Sequence, residues 1–249
     1  MMSIKVEICL SGVESAIAAQ EGGADRIELC ENLLEGGTTP SLGTIEVVRH
    51  NLDIDMNVII RPRGGGCCYS EAEYEVMKRD IETAGEAAAD GVVFGVLYPN
   101  GTVDAERIKV LVDLARPMSV TFHRAFDMTR DPIEALEALI DLGIDRVLTS
   151  GQAASALEGL DLLTKINHHA ADRMIVMAGA GITAHNARQI VERSGVIEIH
   201  VGSAAAEDVK SLMRYHNPKI TFRGGTNLPE DMLRRTSPER VKAIVDAVS

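Results

Sequence analysis

The sequence predicts an α/β protein with a single domain, a TIM (β/α)8 barrel that spans residues 1–249. Three observations predict this fold. Short β-branched runs alternate with longer helical patterns from end to end, which is typical of a parallel sheet built from βα units. A short motif recurs before every second strand. The chain length of 249 residues matches the size of about 250 residues that is common for such barrels.

Eight strands and the helices between them are predicted in order. Ser70 and Glu73 form a capping-box pattern, Pro132 occupies a first helical position, Gly143 ends that helix, and Ser237-Pro238 opens the last one. A partly irregular excursion is expected over residues 204–236 before this closing helix. The strands are predicted near residues 4–9, 26–30, 57–61, 91–96, 118–123, 145–149, 174–178 and 197–201.

An internal echo supports eight units rather than an open sheet. Gly23-Ala24-Asp25-Arg26-Ile27 returns as Gly143-Ile144-Asp145-Arg146-Val147. These segments precede strands two and six, and weaker versions precede strands four and eight. Repetition before alternate strands favours an eightfold barrel over a doubly wound sheet.

Composition excludes several classes of protein. The 37 acidic residues outnumber the 25 basic ones, for a net charge of −12, so nucleic acid is not an expected partner. The N-terminus lacks the apolar core of a signal peptide, and no apolar run approaches the roughly 18 residues of a membrane helix. Four cysteines in a chain of this length are expected to stay reduced. A soluble, unexported protein is expected.

Strand alternation places an unusual number of polar side chains inside the barrel. Alternate residues share a face, and ordinary barrel interiors are dominated by Val, Ile and Leu. We expect the carboxylates to pair with the bases in a buried network, because unpaired buried charges are costly. A purely structural network is the alternative, but many of these residues fall at the carboxyl ends of strands, where barrel enzymes keep their chemistry. The expected carboxylates are Glu7, Glu28 and Glu198, and the expected bases are Lys5, Arg26 and Arg61.

Cys9, Cys30 and His200 are the candidate metal ligands. Barrel closure makes strand eight a neighbour of strand one, so the three residues lie on successive strands about 5 Å apart. Two thiols and an imidazole suit the soft ion Cu(I), whereas tetrahedral Zn(II) needs a fourth group such as Glu7 or water. The alternative is that the cysteines are small buried apolar residues and that His200 is a hydrogen-bonded core residue.

Two segments are candidate anion sites. Arg61 and Arg63 lie in a loop with three glycines, and Gly179 and Gly181 follow strand seven. Arginine supplies bidentate donors, and glycine lets the backbone approach an oxyanion. The alternatives are arginines that neutralise Glu7 and Glu28, and glycines that only form tight turns.

Acid–base catalysis is a further possibility. The candidate groups are Glu7, Glu28 and His123, with Asp127 orienting the imidazole. The adjacent Cys67 and Cys68 could capture metal or oxidise, but neighbouring cysteines are poor disulfide partners.

The sequence resembles the CutC copper homeostasis family over residues 4–203. This resemblance implies a cytoplasmic TIM-type barrel, homo-oligomeric and often dimeric, that is associated with copper. The copper ligands that it implies are Cys9 and Cys30. Gly66 and Cys67 depart from the family pattern, which has an acidic or amide residue and then an aromatic one. The matching blocks are Ile27-Glu28-Leu29-Cys30, Glu35 to Ser41, Ile60 to Gly65, Val120 to Asp127 and Arg146 to Gly151.

Three functions are therefore considered. The first is a cytosolic copper homeostasis protein that binds Cu(I) as a homodimer or higher homo-oligomer. The alternative is a TIM-barrel enzyme that acts on a small phosphorylated or carboxylated metabolite. The third is a dimeric structural or interaction protein with a degenerate site.

Overall fold

Eight parallel strands close into a barrel in the computed structural model, because β8 pairs with β1 as well as with β7. The structure describes residues 4–213, 215, 217, 219–220 and 229–249. The predicted fold class is confirmed. The predicted third strand begins and ends two residues late. The strands are β1 (Lys5–Leu10), β2 (Arg26–Leu29), β3 (Asp55–Ile59), β4 (Gly91–Phe94), β5 (Ser119–Phe122), β6 (Arg146–Thr149), β7 (Ile175–Gly179) and β8 (Glu198–Val201).

Helices follow the strands and cover the outside of the barrel. Short 3₁₀ helices are added at Leu33–Glu35, Arg124–Met128, Ala171–Arg173 and Ser203–Ala205. The α-helices are α1 (Val13–Glu21), α2 (Leu42–His50), α3 (Glu71–Glu86), α4 (Ala105–Ala115), α5 (Pro132–Asp141), α6 (Leu160–Ala170), α7 (Ala187–Ser194) and α8 (Pro238–Val248).

The helix signals in the sequence act as local physics predicts. Ser70 accepts a hydrogen bond from the backbone of Glu73, whose side chain bonds back to the Ser70 amide, so α3 begins at a complete capping box. Pro132 is the first residue of α5. Gly143 follows the end of that helix with a φ of +72°, a conformation that costs glycine little.

An antiparallel pair is inserted between β8 and the closing helix. β9 (Ala206–Lys210) pairs with β10 (Met232–Thr236). These strands lie within the stretch 204–236, for which an irregular excursion was predicted; residues 214, 216, 218 and 221–228 of that stretch lie outside the described residues. The closing helix α8 then packs beside α1, where a Cβ on Gly22 would lie 2.5 Å from Val241.

Two layers of different character result from the strand alternation. Val6, Ile8 and Leu10 of β1 are buried in the apolar layer between barrel and helices. Between them, Glu7 and Cys9 point to the barrel interior, where Glu7 is fully buried. The burial of apolar area in the outer layer supplies the main stabilisation, so the inner layer is free to carry polar groups.

Candidate functional site

A buried ion network fills the part of the barrel interior that lies near the amino-terminal ends of the strands, which is the lower end in this description. Arg26 donates to Glu7 and to Glu198, both at 2.6 Å. Arg146 also binds Glu198, through Nε at 2.6 Å and Nη2 at 3.1 Å. Burial alone would raise the pKa of Glu198, but the two arginines hold it below its usual value. Both carboxylates therefore stay ionised beneath the site.

The predicted partners of this network are partly wrong. Lys5 is exposed rather than buried inside the barrel, since it is the first residue of β1. Arg61 binds backbone carbonyls and, among the described residues, forms no ion pair. Arg146 takes the place that the sequence predicted for another base. The echo of Asp25-Arg26 in Asp145-Arg146 was the signal that could have found it.

Two thiols and a carboxyl group lie together above the network. Cys9 of β1 is paired in register with Glu28 of β2, and Cys30 follows at the end of β2. The sulfurs of Cys9 and Cys30 are 3.7 Å apart, and Cys30 Sγ lies 3.5 Å from a Glu28 oxygen. The three ligand atoms all lie within 4.8 Å of one another. A Cβ on Gly37 would lie 3.2 Å from Cys30 Sγ, so the glycine leaves room for the sulfur.

The three acidic groups of this cluster have pKa values that are shifted in different directions. The hydrogen bond with Cys30 lowers the pKa of the Cys9 thiol well below its usual value, and His200 lowers it further, against the effect of burial. The same bond, together with burial, raises the pKa of Cys30. Burial and the neighbouring Cys9 raise the pKa of Glu28. Cys9 is therefore the thiol of the pair that loses its proton more readily, and the thiolate is the form of cysteine that can bind metal.

His200 lies beside the cluster on β8. Its Nδ1 is 2.8 Å from Glu7, and its Nε2 is 3.8 Å from Glu28. Burial would lower the pKa of His200, but bonds to Cys9 and Glu7 raise it well above its usual value. Among the described residues, the group that could hold a metal ion contains Glu28 rather than His200. Glu28 is therefore a candidate ligand that the sequence had suggested for the ion network and for acid–base chemistry, but not for a metal.

A cavity of about 570 Å³ opens above these residues at the carboxyl ends of the strands. This is the face at which TIM barrels carry their active sites. The cavity mixes apolar walls with a few charged or sulfur-bearing groups. Its polar lining includes Cys9, Glu28, Arg61, His123, Arg124 and His200.

His123 contributes a buried imidazole to the cavity wall. Its Nδ1 accepts a hydrogen bond from the Ala125 amide at 3.1 Å, and its buried Nε2 has no partner among the described residues. Burial and the positive charge of Arg61 lower the pKa of His123 to about 4. The ring is neutral at pH 7.

The predicted support of His123 by Asp127 is wrong. Asp127 instead accepts hydrogen bonds from Thr149 and from the Ser150 and Gln152 amides. Arg124 also binds this carboxylate, at 2.7 Å. The chain turns into a 3₁₀ helix directly after His123, which carries Asp127 away from the ring and towards the end of β6.

The remaining predicted residues are divided between the cavity and its surroundings. Arg63 pairs with Glu73 at 2.5 Å and does not line the cavity. Gly179 and Gly181 do not line it either, whereas Cys67 and Cys68 do.

Of the predicted acid–base residues, Glu28 and His123 line the cavity, but Glu7 lies below it in the ion network. The anion-binding, metal and catalytic sets remain predictions.

Comparison with known proteins decides the family. The CutC family model matches residues 4–205. The chain belongs to the CutC family. A copper homeostasis protein cutC homolog of Homo sapiens is 46% identical over 96% of this chain and 87% of its own length. A CutC family protein of Bacteroides fragilis is 45% identical over 100% of this chain and 99% of its own.

A solved structure extends this similarity to the fold. The crystal structure of a CutC protein from Streptococcus agalactiae is 33% identical and superposes with a TM-score of 0.76, covering 80% of this chain and 98% of its own. The similarity to CutC relatives covers the strands that carry Cys9, Glu28, Cys30 and His200. Among the described residues, no helix has the length and apolar character that crossing a membrane requires.

Proposed function

We propose that this CutC protein binds Cu(I) through Cys9 and Cys30 and takes part in copper homeostasis in the cytoplasm. One observation carries the proposal: two sulfurs lie 3.7 Å apart with a carboxyl oxygen beside them. Soft thiolates select Cu(I), whereas structural Zn(II) takes four ligands. The cluster of described residues supplies three ligand atoms, which suits Cu(I) better than Zn(II). The names of its relatives from Homo sapiens and Mus musculus refer to copper homeostasis.

The residues present fit such an ion. A metal–sulfur bond is about 2.3 Å long, so the 3.7 Å separation is shorter than a linear arrangement between the sulfurs needs. A bent arrangement leaves one side of the ion open for a third ligand. The carboxyl group of Glu28 lies close enough to the sulfurs to fill that position. Ligand thiols must lose their protons when they bind. Cys9 has the lowered pKa, and the proton of Cys30 would be released on binding.

The test is competition with a chromogenic Cu(I) chelator under reducing conditions. The wild-type protein should take up one Cu(I) per chain, and the Cys9→Ala/Cys30→Ala double variant should lose this uptake. The matched control is Cys67→Ala/Cys68→Ala, which also removes two thiols, but at the cavity wall rather than in the cluster. Full uptake by the Cys9/Cys30 double variant would reject these ligands.

Glu28→Gln separates the third ligand from the sulfurs. The amide keeps the size of the side chain but cannot ionise, so Cu(I) affinity should fall while the stoichiometry stays at one. Unchanged affinity would show that the carboxyl group is not a ligand.

We also propose that the protein forms a homodimer, as the family resemblance of the sequence implies. Multi-angle light scattering should give twice the mass of the chain, with and without Cu(I). A mass of one chain at micromolar concentration would contradict the homodimer.

A further inference from the structure

Arg61 is a buried guanidinium that lacks a counter-charge. Its exposed fraction is 8%, and no carboxylate among the described residues pairs with it. The other buried arginines, Arg26 and Arg146, both bind Glu198. A buried charge is costly unless it is paired, so the unpaired Arg61 marks a place that suits an anion.

The donors of Arg61 are only partly used. Its Nη1 donates to the carbonyls of Glu35 and Gly37, both at 2.7 Å, and its Nη2 donates to the Gly65 carbonyl at 2.8 Å. These three bonds use three of the five N–H groups of a guanidinium. They hold the side chain in place against the cavity wall, and two N–H groups remain for a ligand.

His123 supplies a second, independent donor at the same cavity. Its exposed fraction is 7%, and the Ala125 amide donates to its Nδ1. In the neutral ring the proton therefore lies on Nε2, which is buried and has no acceptor among the described residues. Room for the ring depends on Gly95, where a Cβ would lie 2.7 Å from the imidazole.

The rest of the cavity is suited to an apolar body. Its walls include Ile59, Leu97, Tyr98 and Met128. The volume of about 570 Å³ falls within the range of roughly 300–1,000 Å³ that is usual for small-molecule sites. An inorganic ion would fill only a small part of this space.

We propose that the cavity binds a small organic oxyanion, a carboxylate or a phosphate on an apolar body, through the guanidinium of Arg61 and the Nε2–H of His123. Arginine recognises both oxyanions through charge-assisted bonds, and a neutral imidazole donates without adding charge. Neither residue belongs to the Cys9–Glu28–Cys30 cluster, but Cys9 and Glu28 line the same cavity, so binding is tested on the copper-free protein. The glycine turn at Gly179 and Gly181 does not line this cavity and is not part of the proposed site.

Benzoate and phenyl phosphate are suitable probes, since each joins an oxyanion to an aromatic ring. Benzamide and benzyl alcohol are their neutral controls. Calorimetry on the reduced, copper-free protein should show binding of at least one anion and of neither neutral compound. The tighter of the two anions then assigns the site to a carboxylate or a phosphate.

Three variants locate the binding. Arg61→Met should weaken it at least tenfold, and His123→Asn should weaken it several-fold while keeping an acceptor for the Ala125 amide. Arg63→Met is the matched control, because it removes a charge from the same loop but outside the cavity, and it should leave the affinity unchanged. Because the titration uses the copper-free protein, its result stands apart from the copper test.

Two outcomes would overturn the proposal. The first is no binding of either anion at millimolar concentration by the folded wild-type protein. The second is binding that neither Arg61→Met nor His123→Asn reduces. If Arg61→Met does not fold, His123→Asn and a ¹⁵N titration of the wild-type imidazole decide: a shift of the Nε2 resonance with the anion supports the site, and no shift rejects it.

Discussion

Arg26 joins the two carboxylates of the barrel interior, and its replacement by Met tests whether the ion network holds the fold. In the wild type, Arg26 and Arg146 balance Glu7 and Glu198. Without Arg26, Glu198 keeps Arg146, but Glu7 keeps only the Asn57 amide at 3.1 Å and His200 at 2.8 Å. One buried negative charge is then uncompensated, and breaking a buried pair in this way costs about 3–5 kcal/mol.

That cost is large against the stability of a typical domain, about 5–15 kcal/mol. It should also depend on pH. Burial would raise the pKa of Glu7, but Arg26 helps to lower it in the folded protein. The pairing therefore stabilises the fold above the ordinary glutamate pKa of 4.5, and this contribution is lost as pH falls. The difference between wild type and Arg26→Met should therefore be largest at neutral pH and shrink in acid.

Urea unfolding followed by circular dichroism measures the effect. The matched control is Arg79→Met, which breaks a pair with Glu82 whose arginine is 80% exposed; exposed pairs contribute less than about 1 kcal/mol. Adding Glu7→Gln to Arg26→Met should recover part of the loss, because it removes the uncompensated charge. A cost for Arg26→Met no larger than for Arg79→Met would refute the reasoning.

Three further predictions concern His123, the glycine beside it and a helix cap. The pKa of His123 is about 4 in the folded protein, against 6.5 for an ordinary histidine, so the free energy of unfolding should fall by up to about 3 kcal/mol as pH falls through this window; parallel pH curves of unfolding free energy for wild type and His123→Asn would contradict this prediction. Gly95→Ala should destabilise the fold by about 1–3 kcal/mol through overpacking against the ring, whereas Gly43→Ala, which meets nothing within 4 Å, should be neutral or stabilising in thermal unfolding. Ser70→Ala should cost about 1 kcal/mol by removing the N-cap of α3, and an unchanged urea midpoint would show that the capping box is dispensable.

Local patterns in the sequence predicted most of the barrel. Strand alternation placed Glu7, Glu28 and Glu198 inside it, and the structure buries all three. The register of β8, β1 and β2 brings His200, Cys9 and Cys30 to one end of the barrel, as the order of the strands implied. These features depend on a period of two along each strand and on barrel closure, and both can be derived from a single chain.

The sequence by itself determined that Glu7, Glu28 and Glu198 face the interior and which family the chain resembles, although the same alternation wrongly placed Lys5 inside. Only the tertiary structure decided their partners: Arg146 joins Arg26 on Glu198, Asp127 binds Thr149 rather than His123, and Arg61 binds backbone carbonyls. Alternation gives the face of a residue but not the reach of its side chain. A pair such as Arg146 and Glu198 joins strands two positions apart in the barrel, so it forms only after closure has brought both side chains into the same interior layer.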